Sequence, residues 1–248
     1  MARPRVLLAL VLAEAPGRMK GSGGLRASRR RPVSGVGRRG VVCALALALL
    51  SLGAAAPGWE WTAERKGVRI WSRPTEGTEV REVLGRAEFD LSPERFFRFL
   101  ADVESYPELL PPTTQARLLR HDGDESWYYM VIDPAWVAPR DYCIRTRLHR
   151  LPDGRLKSTW ENDESACPPP PDGTVRIHIN EGYWLLTPLP GGRTEVTYQA
   201  ITDPGGMVPK WMVNKGQIGA LVDIFQSLRE AAALDRYAAP GADPGTAP

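Results

Sequence analysis

The stretch Pro209–Arg236, PKWMVNKGQIGALVDIFQSLREAAALDR, decides the fold. Trp211, Ile218, Leu221, Phe225, Leu228 and Ala232 recur at spacings of seven, three, four, three and four, the period of one face of an α-helix. Lys215, Gln226, Arg229, Glu230 and Asp235 supply polar positions around that stripe. The spacing predicts one long helix over residues 209–236. Gly216 and Gly219 lower its propensity by about 1 kcal/mol each, which suits either close packing or movement. A helix this long needs a broad apolar surface to lie on, and the chain before it must provide one.

That preceding chain alternates. Val68-Arg69-Ile70-Trp71 and Glu79–Phe89 read as two strands. Ser92-Pro93-Glu94 opens a short helix, with serine as N-cap and proline at the first helical position. Phe96, Phe99, Leu100 and Val103 give that helix one apolar face, and Pro107 must end it. Seven further strand candidates follow: Gln115–Arg120, Trp127–Ile132, Asp141–Leu151, Leu156–Asn162, Val175–Asn180, Tyr183–Leu189 and Glu195–Ile201. Asp122-Gly123, Asp153-Gly154 and Pro190-Gly191-Gly192 lie between neighbours, and such short connections make antiparallel hairpins. Four prolines at 168–171 mark Cys167–Gly173 as a polyproline-like surface loop. The expected fold class is α+β, a curved antiparallel sheet gripping a long C-terminal helix, because a sheet of this size is too twisted to stay flat. A helix laid across a curled sheet need not fill the space beneath it, which is a route to an internal cavity.

Two registers are left open by the hairpins. Taken as a two-residue turn, Asp153-Gly154 sets Cys143 opposite Glu164, with Cys167 three residues further on. A disulfide between Cys143 and Cys167 and a pair of inert thiols both remain possible. Taken the same way, Gly191-Gly192 sets Leu185 opposite Tyr198 and leaves Trp184 and Leu186 on the polar side. A shift of one residue would reverse that.

The chain has 248 residues, 43% hydrophobic and 25% charged, as in a globular protein with a core. No apolar run reaches the ~18–20 residues of a membrane span. The formal net charge of +3 is unevenly distributed. Residues 1–56 hold ten Lys/Arg against Glu14 alone, while 57–248 hold 22 basic and 28 acidic residues, a net of −6. An acidic body makes nucleic acid an unsuitable partner. Within the basic leader, arginines at 26–39 precede the apolar run Val41–Leu50 and the small residues Gly53-Ala54-Ala55-Ala56. That order describes an export signal cleaved near Ala56. The expected division is a leader over 1–56, one domain over 57–236 and a disordered tail over 237–248, placed in the periplasm or secreted.

Several segments together resemble the START (StAR-related lipid-transfer) domains. They are Gly67-Val68-Arg69-Ile70-Trp71-Ser72-Arg73, Asp133-Pro134-Ala135-Trp136-Val137-Ala138-Pro139-Arg140-Asp141-Tyr142, Gly182–Leu189 and Asp203–Trp211. The resemblance covers about Trp59 to Ala233. It implies a helix-grip fold enclosing a tunnel for one lipid-like molecule, with the Trp136 loop and the C-terminal helix forming a mobile entrance. Thr146 stands where some sterol binders carry a second arginine, so the resemblance does not extend to sterol. Around the tunnel and its lid we expect Trp136, Arg140, Tyr198, Met207, Trp211, Met212, Leu221 and Phe225. Arg140 either holds an acidic headgroup or pairs with Asp141 or Asp133. The implied partners are a lipid or other hydrophobic small molecule and, transiently, a membrane surface, with the protein a monomer.

Catalytic constellations are not visible in the sequence. His121, His149 and His178 lie in separate segments without metal spacing, and no nucleophile elbow or phosphate loop occurs in residues 57–248. His178 alternates with Val175, Ile177 and Ile179, so it should face solvent. A hydrophobic ligand is held by apolar surface at ~25 cal/mol per Å², which requires no reactive group. The expected function is non-catalytic binding, without cofactor or metal. The alternative is a cyclase- or dehydratase-like enzyme acting in the same cavity.

Overall fold

The computed structural model describes residues 58–134 and 137–238. The expected export signal, Trp136 and nearly all of the expected tail lie outside the described residues. Strands β1 (Glu60–Arg65), β2 (Val68–Thr75) and β3 (Thr78–Phe89) form a meander. Helices α1 (Pro93–Ala101) and α2 (Tyr106–Leu109) then carry the chain to the opposite sheet edge. From there β4 (Thr113–Asp122), β5 (Glu125–Ile132), β6 (Arg140–Arg150) and β7 (Leu156–Asn162) return toward the centre. After the short β8 (Val175–Arg176), β9 (Ile179–Leu189) and β10 (Arg193–Asp203) close the sheet against β3. Its order is β1-β2-β3-β10-β9-β7-β6-β5-β4, antiparallel except for β8, which pairs parallel with β6. Helix α3 (Lys210–Ala232) lies on the inner face with α1.

The expected architecture is present, with differences that have local causes. Strand β1 was not anticipated, because Glu-Trp-Thr-Ala-Glu-Arg is almost wholly exposed and carries no apolar alternation. Ser92 makes no side-chain cap; its carbonyl instead accepts from the Arg95 N–H at 3.1 Å. The last helix ends at Ala232, but a 3₁₀ turn over Asp235–Tyr237 buries Tyr237, so the body runs one residue past the expected boundary.

Both glycine hairpins prove to have three-residue loops. Leu151 exchanges backbone hydrogen bonds with Arg155 and Gly154, enclosing Pro152-Asp153-Gly154. Arg193 pairs with Leu189, enclosing Pro190-Gly191-Gly192 with both glycines left-handed. Each adds one residue to the assumed turn, so each register moves by one. Tyr198 therefore faces Trp184, and Trp184 and Leu186 point into the core. The open cysteine question resolves as a Cys143–Cys167 disulfide with a Cα–Cα distance of 5.8 Å. Together with Arg176, it holds the proline-rich excursion on the outer face of β6. The Arg176 guanidinium donates to both Asp141 carboxylate oxygens, at 2.9 and 2.8 Å, and to the Pro168 carbonyl at 2.7 Å.

The interior is divided. One cluster joins α1, the C-terminal half of α3 and strands β2, β3, β9 and β10 around Phe96, Phe99, Leu186 and Phe225. A second gathers Val103, Tyr128, Met130 and Ile144 at the β5–β6 side. A third, Val80, Ile201 and Val213, sits beneath the start of α3. The helix meets the sheet most closely at Gly85, where an added Cβ would lie 2.9 Å from the Phe225 ring and 3.0 Å from Leu221. A side chain at position 85 would have to push both apolar groups away. Gly219, by contrast, has nothing within 4 Å of a built Cβ, so close packing does not explain it.

Gly85→Val should lift α3 from the sheet and cost about 1–3 kcal/mol of stability by overpacking. Phe225→Ala should cost about 3–5 kcal/mol. Urea unfolding monitored by circular dichroism checks both, and a wild-type midpoint for Gly85→Val would show that the helix does not depend on this contact.

Candidate functional site

The space separating the three clusters is a cavity of about 320 Å³. Its walls take residues from every cluster: Leu100, Leu221 and Trp184 from the first, Met130 and Ile144 from the second, Val213 from the third. Helix α3 roofs it from Val213 to Ile224, through Val213, Gln217, Ala220 and Ile224. Even-numbered residues of β5, β6, β7, β9 and β10 form its floor, as strand alternation requires. That floor is mostly apolar, with a few polar groups set into it.

One such group is organised by Trp160. Its indole lies over Gly182, where a Cβ would come within 2.2 Å of the Gln199 carbonyl oxygen, 2.7 Å of the ring and 2.9 Å of the Ala200 Cα. The indole N–H can only donate, and it reaches Asn180 Oδ1 at 3.2 Å, while the Thr202 hydroxyl lies 3.1 Å from the same oxygen. The Asn180 oxygen is thus occupied, and its Nδ2 donors have no partner among the described residues. Tyr198 packs on both Trp184 and Trp160, at ring-centroid distances of 4.5 and 5.5 Å.

Tyr106, Tyr142 and Tyr198 all line the cavity. Burial pushes each hydroxyl well above the ordinary tyrosine range, and the proximity of Tyr142 adds to the rise at Tyr106 and at Tyr198. At neutral pH these are uncharged hydroxyls. Among the described residues the wall contains no Asp, Glu, His, Lys or Cys. The three histidines are dispersed: His178 is exposed beside Glu164 at 2.7 Å, His121 is beside Ser126 at 2.9 Å and His149 is beside Thr159 at 3.3 Å. No cluster of three metal-ligating side chains occurs among the described residues.

The eight residues singled out from sequence divide into groups. Arg140, Tyr198 and Leu221 line the cavity. Phe225 does not; it is fully buried in the first cluster against Phe89 and Trp184, at 6.2 and 5.8 Å. Met207, Trp211 and Met212, expected around the tunnel and its lid, are not among the wall residues. Met207 is fully exposed and precedes α3; Trp211 is 63% exposed, although Val213 two residues on is buried against Val80 and Ile201 of the sheet. Sequence reasoning missed Trp160, Asn180, Tyr106 and Tyr142. The even-numbered alternation along β7 and β9 carried that information, but only a correct hairpin register makes it legible.

Residues 89–229 match the family model described as polyketide cyclase / dehydrase and lipid transport. An uncharacterized protein of Pseudomonas aeruginosa is 28% identical over 199 residues, covering 78% of this chain and 98% of that protein. Human START domain-containing protein 10 is 27% identical over 168 residues, covering 64% of this chain and 55% of the relative. The chain thus matches about half the length of that human protein. Among solved structures, a STAR-related lipid transfer protein of Xanthomonas axonopodis aligns with a TM-score of 0.66 at 25% identity, covering 71% of this chain and 99% of that one. Human StAR-related lipid transfer protein 5 aligns at 0.65 and 20% identity, covering 72% and 88%, a likeness of fold.

Two outcomes follow from this geometry. Gly182→Ala should force β9 away from the Gln199 carbonyl and displace Trp160, shifting the near-ultraviolet circular dichroism and lowering stability by about 3 kcal/mol; an unchanged spectrum would refute the packing role of Gly182. Burial in the fold raises the pKa of all seven tyrosines above the ordinary value of about 10. The folded protein therefore keeps phenol protons that the unfolded chain releases, so this stability is present below pH 10 and is lost as pH rises beyond it. Ultraviolet titration should show most phenols of the folded protein still neutral at pH 10.

Proposed function

The chain belongs to the polyketide cyclase / dehydrase and lipid transport family and has the START helix-grip fold, and from that premise we propose that it binds one lipid or other hydrophobic molecule in its cavity and carries or sequesters it unchanged. The observation that carries this reading is the division of the core into three clusters around an apolar space. A ligand there is held by removing its surface from water, with the few polar groups serving orientation. Exposed Met207 and Trp211 lie beside the α3 end of that space and suit transient contact with a membrane surface. Work outside the cytoplasm is part of the same proposal, supported by the leader composition and by a disulfide whose persistence favours an oxidising compartment.

One observation favours a second reading. Tyr142 and Tyr198 are two buried titratable groups on the same wall, and such hydroxyls can donate to a carbonyl during a cyclisation or dehydration. The family description includes both activities.

Organic extraction of the gently purified protein followed by mass spectrometry tests the proposal. The expected result is one hydrophobic species in near-stoichiometric amount, recovered unchanged after incubation. An empty protein that also takes up no lipid from vesicles would overturn the binding reading, and a ligand converted to a lighter or isomeric product would favour the enzyme. Ala220→Phe, which places a ring in the roof, should abolish uptake without lowering the melting temperature.

A further inference from the structure

Arg140 is a cation that the fold has desolvated without neutralising. Only 4% of the residue is exposed. Its Nε donates to the Pro204 carbonyl at 3.4 Å and its Nη1 to the Ala138 carbonyl. Those are neutral backbone acceptors, and no carboxylate lies within 4.0 Å among the described residues. The two acids that sequence offered as partners are elsewhere. Asp141, the next residue along β6, points to the opposite sheet face, where Arg176 and the Tyr129 hydroxyl occupy it. Asp133 is exposed. The nearby Asp203 is held by Lys210 at 2.6 Å. Burial of Arg140 weakens its hold on its proton, and desolvation is the sole cause.

A guanidinium has five N–H donors in a planar fork, and here two are used. Nη2 has no partner among the described residues. The side chain forms part of the cavity wall, between Pro204 and Tyr142. An unpaired buried charge is costly unless something of opposite sign reaches it.

We infer that Arg140 receives the anionic end of an amphiphile, a carboxylate or phosphate head, whose apolar part fills the cavity. This rests on the reading of the cavity as a hydrophobic binding site and names the class of molecule it takes. The fork geometry favours two parallel N–H···O bonds to one carboxylate or phosphate. A volume of about 320 Å³ is near the lower end of small-molecule sites, which fits a single-chain amphiphile.

The test compares the affinities of the full chain for dodecanoate, dodecyl phosphate, methyl dodecanoate, acetate and inorganic phosphate by isothermal titration calorimetry. Dodecanoate and dodecyl phosphate should bind at least about tenfold more tightly than the methyl ester, the worth of a charge-assisted hydrogen bond. Acetate and phosphate alone should bind far more weakly than either amphiphile. Arg140→Gln should bring acid and ester within about threefold of each other. As Arg140 also joins two loops, the variant could unfold. A measurement on the unaltered protein covers that case: the carboxyl carbon of ¹³C-labelled dodecanoate should titrate at lower pH when bound than when free. Equal binding of acid and ester by the unaltered protein, or an unshifted titration, would overturn the inference and leave the hydrophobic-site reading standing. Failure of every amphiphile to bind would overturn both, and tight binding of free acetate or phosphate would mark an anion site unconnected with the cavity.

Discussion

The contact of α3 with Gly85 constrains everything around it. Leu221 and Phe225 descend onto a strand position that has no side chain, and this fixes the middle of a 23-residue helix against the sheet. At its start the helix touches the sheet again, through Val213 on Val80 and Ile201, and the cavity lies between these contacts and β5–β7. Beyond Leu221 toward the C-terminus the helix shares a packed core with α1. In the other direction it stands above the floor as a roof. The gap left beneath the roof, about 320 Å³, is the space the proposed ligand would fill.

Long-range order was readable because it depends on long patterns. The α3 stripe over Leu221, Phe225, Leu228 and Ala232 is buried as its period demands. The strand succession and its antiparallel sense follow from alternation and short turns. What escaped was decided by single residues. Pro190 belongs to its loop as well as Gly191 and Gly192, and that one residue inverts the face of β9, moving Trp184 and Leu186 from solvent to core. Trp211 satisfied the helical period yet is exposed, because the face that meets the sheet at the start of α3 is that of Val213 and Gln217, roughly a third to a half of a turn away. Strand β1 escaped for the opposite reason: an edge strand paired through its backbone to β2 has no need of an apolar side.

Alternation along β6 places two opposite charges, adjacent in sequence, in unrelated environments. Asp141 faces outward beneath the excursion that carries Arg176, and there a buried ion pair is completed by a bidentate contact and a tyrosine hydroxyl. Arg140 faces inward among apolar side chains and, among the described residues, meets only carbonyls. Pairing the two neighbours would require one to turn through the sheet, which the strand backbone forbids. The disulfide at Cys143 continues the outward series and Tyr142 the inward one. One strand thus fastens the proline-rich excursion with its odd residues and lines the cavity with its even ones.

The composition of the wall bears on whether the cavity holds a molecule or transforms it. General acid–base catalysis wants groups whose pKa lies near the working pH. Burial moves Tyr106, Tyr142 and Tyr198 away from that range, and Arg140 is a poor proton donor at any ordinary pH. What these groups do well is hold a polar atom in place, since an uncharged hydroxyl or a fixed guanidinium donates a directed hydrogen bond and keeps its own proton. Binding needs only that, together with apolar surface. Chemistry on this wall would have to come from hydrogen bonding to a substrate already inclined to react.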